Sequence, residues 1–331
     1  MSSHKAVELA ALPADGPRTW PVFGLLWLLS TVASALPARV AYLLADALGL
    51  LVGLVALLRE GRAAKRRRGV GRNLRVVFGR QQSPAALRRR TLAYGRHGGR
   101  LFVEALRLRR LDPLRVRHHV DMTAFAPIRA LLAEGKGVIV ATGHLGNWET
   151  FAVAAGRDGF DVTSLARPLP EPGLQCWLSR ECQRSGARFL NKFGGLWALK
   201  KVLDRGEVVG LNVDENVREG GLFVPFSGVL AATNASAARL QRITGAPIAV
   251  MTCNRLDVEC FVIRLWAVIR PDPEAEKEAE ALRVTAAVAA GLERALRAYP
   301  EQWLWGLRRF ETRPPGEPPL GPDGLPPPIQ V

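Results

Sequence analysis

Five short apolar runs, Val138 to Ala141, Val162 to Leu165, Val208 to Val213, Ile248 to Thr252 and Val258 to Trp266, constrain this chain more than any other feature. Runs in which consecutive residues are apolar do not alternate between a wet face and a dry one, so they read as strands covered on both sides. Helical patterns fall between several of them. That alternation specifies an α/β fold, a mixed central sheet flanked by helices. The last two runs lie close together, which favours an antiparallel pair. Ser83-Pro84 is a good start for a basic amphipathic helix over residues 85 to 108, bent or interrupted at Gly98-Gly99. Residues 274 to 298, with alternating acidic and basic positions, form a further helix.

The first run leads into Gly143-His144-Leu145-Gly146-Asn147-Trp148-Glu149 and places an imidazole and a carboxylate at one strand-to-helix corner. Ligands of open α/β sheets gather outside the carboxyl ends of the strands. Five residues of continuous helix would leave His144 and Glu149 about 140° apart. They meet only if His144 lies in the loop and Glu149 in the first helical turn, with Asn147 as N-cap. A carboxylate on one ring nitrogen then fixes the tautomer and leaves the other nitrogen free to take a proton. A structural histidine in a loop fits the spacing equally. Asp214 ends the third run, at the same sheet edge as His144 if the two strands are parallel; its alternative is a turn cap. Arg167 also follows a strand, where a guanidinium suits a phosphate or a developing oxyanion, or simply a surface loop.

Before the sheet lies a segment of different character. From Thr19 to Ala38 the chain is uncharged for about 20 residues, the length that crosses a bilayer core of roughly 30 Å. A second apolar stretch, interrupted by Arg39 and Asp46, continues to Leu58. Pro21 and Pro37 shorten the first helix, so a single span, a re-entrant hairpin and an in-plane helix all fit. A cleaved signal peptide fits less well, because the N-terminus is not strongly basic and the apolar region is long. Between Arg59 and Arg117 there are 19 Lys/Arg against Glu60, Glu104 and Asp112, which equals the net charge of the whole chain, +16. A basic block beside an apolar segment suits anionic lipid head groups and places itself on the cytoplasmic side. Nucleic acid is disfavoured, since only Phe78, Tyr94 and Phe102 interleave the block. The organisation is a tail (1–18), a membrane-associated apolar segment (19–58), a basic helical region (59–117), an α/β core (118–313) and a disordered proline-rich tail (314–331).

Cofactors and metals find no support. No Gly-x-Gly-x-x-Gly or phosphate-binding Gly-Lys-Ser/Thr loop occurs, and Cys176, Cys182, Cys253 and Cys260 lack metal-ligand spacing.

Several stretches, in order, carry a resemblance. They are Asn73-Leu74 with Phe78, the His144 to Glu149 string, Ala166-Arg167-Pro168, Leu211 to Asn216, Phe223-Val224-Pro225-Phe226, and Pro300 to Trp305 with Arg308-Arg309-Phe310. Together they resemble the lipid A late acyltransferases of bacteria, within the glycerolipid acyltransferase superfamily and its His-x4-Glu/Asp motif. The resemblance covers roughly residues 20 to 313 and departs from the family at Cys182, where an arginine is expected, at Glu215-Asn216, and at Gly306-Leu307, where a histidine is usual. It implies an O-acyltransferase at the bacterial inner membrane, its catalytic part facing the cytoplasm. An acyl carrier protein or acyl-CoA would be the donor and a lipid hydroxyl the acceptor. His144, oriented by Glu149, would be the base. The oxyanion would be held by backbone amides of the turn and by Arg167, while Asn147, Arg167 and Asp214 would line the substrate site. A lysophospholipid, an aminolipid or a phosphoinositide mannoside remains open as acceptor, as do a thioesterase-like hydrolase and a non-catalytic basic membrane scaffold.

Overall fold

The computed structural model describes residues 20–63, 69–79, 82–112, 114–166, 169–184, 186–191 and 195–320. The N-terminal tail to residue 18, Arg167 and residues 321–331 lie outside them. Four helices come first: α1 (Trp20–Ala35), α2 (Ala38–Ala63), α3 (Val70–Phe78) and α4 (Pro84–Arg107). The α/β part follows as α5 (Val116–His119), β1 (Val120–Asp121), α6 (Phe125–Leu132), β2 (Val138–Thr142), α7 (Trp148–Arg157) and β3 (Val162–Ala166). It continues with α8 (Pro172–Gln183), β4 (Arg188–Asn191), α9 (Gly195–Asp204) and β5 (Val208–Asn212). Last come β6 (Leu222–Phe226), β7 (Val229–Thr233), α10 (Ser236–Thr244), β8 (Ile248–Asp257), β9 (Cys260–Ile269) and α11 (Lys277–Ala298).

The main sheet runs β1-β9-β8-β2-β5-β3-β4 and is parallel except for the β8–β9 hairpin, so the mixed sheet and the antiparallel last pair are as the sequence indicates. Its continuous apolar runs have the expected cause. In β2, Ile139 and Ala141 enter one core layer and Val138 and Val140 the other; in β8, Ile248 and Val250 divide from Ala249 and Met251 in the same way. The first layer holds residues of α9, α10, α11 and the β6–β7 hairpin, and the second those of α6 and α7.

Several expectations are corrected. The helix from Ser83 is continuous to Arg107, with no break at Gly98-Gly99. Gly95 and Gly99 instead let its backbone lie against that of α2: a Cβ on Gly49, Gly95 or Gly99 would fall inside the facing helix's backbone. Pro37 parts the two apolar helices, and the longer one is the second, with a 21-residue apolar stretch from Ala38 to Leu58 long enough to cross a membrane. The basic block is not all on the surface. Arg72 and Arg107 are buried, the first donating to the Phe310 carbonyl and the second ion-paired to Glu259. The proline-rich tail is not disordered throughout either, since Leu320 is fully buried in the first core layer.

The early and closing motifs meet in space. Asn73 Nδ2 donates to the carbonyls of Trp305 (2.9 Å) and Leu307 (2.5 Å), and Phe78 packs on the Trp305 ring at 5.7 Å. The two stretches therefore act as one clasp that holds Trp303 behind the His144 corner.

Candidate active site

β2 and β5 are neighbours in parallel register, Thr142 opposite Asn212, so His144 and Asp214 leave the sheet at the same edge. The turn between β2 and α7 is shaped by two glycines. A Cβ on Gly143 would sit 2.8 Å from the Asp214 carboxylate, and Gly146 has φ 71° with its Cα face closed by the Cys253 carbonyl. Backbone bonds pin the rest. His144 N donates to Asp214 Oδ2 (2.8 Å), Gly146 N to the Gln302 carbonyl (2.9 Å), Asn147 N to the Cys253 carbonyl (2.7 Å), and Leu304 N to the His144 carbonyl (2.8 Å).

The imidazole is oriented by Asp214, not by Glu149. His144 Nδ1 lies 2.8 Å from Asp214 Oδ1. An ionised carboxylate only accepts, so Nδ1 carries the proton and Nε2 is left basic beside the cavity. Asp214 is 2 % exposed, and its Oδ2 also accepts from Trp303 Nε1 at 2.8 Å. Burial would raise its pKa, but the imidazole, the indole and the His144 amide together hold it below the usual carboxylate value. For His144 burial works downward, but the Asp214 carboxylate, helped by the fields of Glu215 and Glu149, outweighs it, so the imidazole is held above its ordinary value. Around Nε2 stand the Asn212 amide nitrogen at 3.4 Å and the Glu215 carboxylate at 4.0 Å, with the Trp148 ring edge-on to the imidazole at 5.0 Å.

Glu149 sits in the first turn of α7 and lines the same cavity. Burial pushes its pKa up to about 7, against the opposing pull of its own backbone, His144 and Trp148. It stands close enough to His144 for each to shift the other, but the ring nitrogen that the sequence assigns to it belongs to Asp214.

Asn147 is a cap and not a substrate ligand. Its Oδ1 accepts from Thr150 N (2.8 Å), its Nδ2 donates to Glu104 (2.7 Å), and it is 1 % exposed. Asp214 is likewise spent on His144 and Trp303. The amides of His144, Gly146 and Asn147 all have partners, so the turn does not offer them to an oxyanion. Trp303, which steadies Asp214, Asn212 at the cavity wall, and Glu104 behind Asn147 have roles at the site that the sequence does not assign to them. Among the described residues no group of three or more His, Cys, Asp or Glu gathers as a metal site.

From His144 a cavity of about 610 Å³ runs into the second core layer, between the sheet and α6, α7 and α8. Its depth is apolar, with Phe125, Ile128, Phe151, Phe160 and Met251, while Asn212, Glu215, Asn234 and Ser236 supply polar groups. A base, its orienting acid and a long apolar cavity at one sheet edge suit proton abstraction beside a bound hydrocarbon.

Comparison with known proteins agrees with that chemistry. The chain is 27% identical over 311 residues, 90% of its length and 92% of the relative's, to the lipid A biosynthesis palmitoleoyltransferase of Escherichia coli (strain K12). It is 28% identical over 306 residues, 91% and 93% of the two lengths, to the lipid A biosynthesis lauroyltransferase of the same organism. The family described as bacterial lipid A biosynthesis acyltransferase matches residues 14–312, and this chain belongs to that family.

Proposed function

We propose that this acyltransferase moves a fatty acyl chain from an acyl thioester, on acyl carrier protein or coenzyme A, to a hydroxyl of a lipid A precursor at the cytoplasmic face of the inner membrane. The observation that carries the reading is the His144–Asp214 pair at the mouth of the apolar cavity. Nε2 of His144 takes the proton of the acceptor hydroxyl, whose oxygen bonds to the thioester carbonyl carbon. The carbon–sulfur bond then breaks, and the thiolate takes the proton back from the imidazolium. No acyl-enzyme forms. The positive charge on His144 is met by Asp214 through a hydrogen bond and by Glu149 through its field. Asn212 is a side-chain donor beside the reacting atoms, and Arg167, which lies outside the described residues, is the second candidate for the oxyanion.

The cavity falls within the range of about 300–1,000 Å³ usual for small-molecule sites. Each methylene buried there contributes about 0.8 kcal/mol, so its depth sets acyl preference. Ala155→Leu, which intrudes on the cavity wall, is expected to lower kcat/KM for the best wild-type donor by about tenfold or more and to favour a shorter chain. A donor series of graded length measures this; an unchanged preference would place the chain elsewhere. The reading as a whole is tested by incubating the enzyme with radiolabelled acyl carrier protein or acyl-CoA and a lipid extract of its source, then identifying the product by mass spectrometry. Label on lipid A precursors supports it. Label on another lipid moves the acceptor, acyl release to water without acceptor dependence makes the protein a hydrolase, and no thioester consumption leaves a scaffold.

A further inference from the structure

α2 has the length and apolarity of a membrane span, yet its surroundings do not suit one. A buried stripe, Ala41, Ala45, Gly49 and Gly53, faces α4, with Ala45 against Gly99, Gly49 against Gly95 and Gly53 against Thr91 and Leu92. The two helices touch along about 18 Å, taking 1.5 Å per residue. Near the middle of the stretch Asp46 accepts from Arg96 (2.6 Å) and Arg100 (2.6 and 2.8 Å). The Arg96 side chain is 46 % exposed, and Arg88 and Arg89 stand exposed two turns away on the same helix. If α2 crossed the bilayer, α4 would be carried in beside it, with these guanidinium groups at hydrocarbon depth. Charges there face the bundle interior or a water-filled path, and an exposed Arg96 does neither.

The other side of α2 is exposed and apolar, with Leu43, Leu44, Leu48, Leu51, Leu54 and Leu58. α1 presents a comparable face, including Leu25, Trp27, Leu28 and Val32. α1 is fastened to the end of α4 and the residues after it: Ser30 Oγ donates to the Leu106 carbonyl (2.6 Å), Arg107 Nη1 to the Leu36 carbonyl (3.0 Å), and Arg110 Nη1 to the Ser34 carbonyl (2.6 Å). We infer that α1 and α2 lie in the plane of one leaflet of an anionic bilayer, apolar faces down and α4 behind them at head-group level, without crossing it. Arginines beside an apolar face are complementary to anionic head groups and reach them without leaving water. α1 packs on α8, where Leu26 shares one apolar cluster with Trp177 and Leu178, and Leu178 also lines the acyl cavity, so one helix separates the docked face from the site.

The inference shares with the proposed function only the membrane as partner, and its test reads topology, not turnover. In inverted inner-membrane vesicles of the expressing bacterium, Pro37→Cys marks one end of α2, and Ala85→Cys, exposed at the start of the antiparallel α4, marks the other. Cys176, Cys182 and Cys260 are changed to Ser. A membrane-impermeant maleimide is applied before and after detergent, and both sites are quantified by mass spectrometry. The expected result is that both react to the same extent and on the same side. Reaction of one before detergent and of the other only after it means that α2 crosses, and overturns the inference; so does a protein missing from the membrane fraction. Two sites that agree on the lumenal side leave the in-plane arrangement standing and overturn the cytoplasmic assignment instead.

Discussion

Replacing His144 by Ala is expected to lower acyl transfer by about 10²–10⁴-fold while leaving the protein folded and on the membrane, because general-base catalysis contributes about that much. Asp214→Asn should fall most of the way with it. The amide keeps the shape, but it can either donate to Nδ1 or accept from it, so that nitrogen is no longer required to hold the proton, and no charge is left against the imidazolium. A pH profile separates this reading from a merely structural one. The base works only when neutral, so kcat/KM falls as pH drops through the pKa of His144, which Asp214 holds above its ordinary value. Removing the carboxylate lowers that pKa. The plateau should therefore drop while the acid limb moves to lower pH. A variant whose limb stays in place would remove Asp214 from the orienting role, and near-normal turnover in His144→Ala would remove the base.

What the sequence shows of this site follows from distance along the chain. The β2 run and its turn are legible because a strand buried on both faces leaves no polar alternation, and because Asn147 caps the helix after it. Nearness in sequence points to Glu149 as the orienting acid, whereas the group that bonds the imidazole comes from the neighbouring strand, 70 residues on. Parallel pairing of β2 with β5 is what brings it there, and the expectation about Asp214 is conditional on that pairing. β4, an edge strand of four residues with arginine and asparagine at its ends, gives no run to recognise. The β6–β7 hairpin is visible only as a motif; its turn rests on Ser227 and Gly228, both at positive φ. The basic block misleads as a sum, since a net charge does not distinguish a solvated arginine from one such as Arg107, buried against Glu259.

Glu104→Leu is expected to destabilise the protein by about 3–5 kcal/mol, the usual cost of leaving one partner of a buried ion pair alone. Glu104 counts in the sequence only as one of three acids in a basic block, yet three other elements converge on it. Its carboxylate accepts from Tyr42 Oη of α2 (2.7 Å), from Asn147 Nδ2 at the start of α7 (2.7 Å), and from Arg255 Nε and Nη2 of β8, the latter at 2.8 Å. Arg255 also reaches His97 Nδ1 (3.1 Å), which burial and the arginine charges hold neutral, and its backbone is bracketed by Gln302, at 2.9 and 2.8 Å. Glu104→Leu thus strands a guanidinium in the core and frees the cap of the helix that begins with Trp148 and Glu149. Stability and kcat should fall together. The double variant Glu104→Leu/Arg255→Met tells the causes apart. Removing the stranded charge should recover most of the stability, because an apolar replacement of a buried pair is often neutral or better. It restores no partner to Asn147, so kcat should remain low. Equilibrium unfolding in denaturant and single-turnover acyl transfer measure the two quantities. A double variant as unstable as Glu104→Leu would mean that the carboxylate acts through the helix contacts of Tyr42, and one that regains full activity would mean that the cap is set without Glu104.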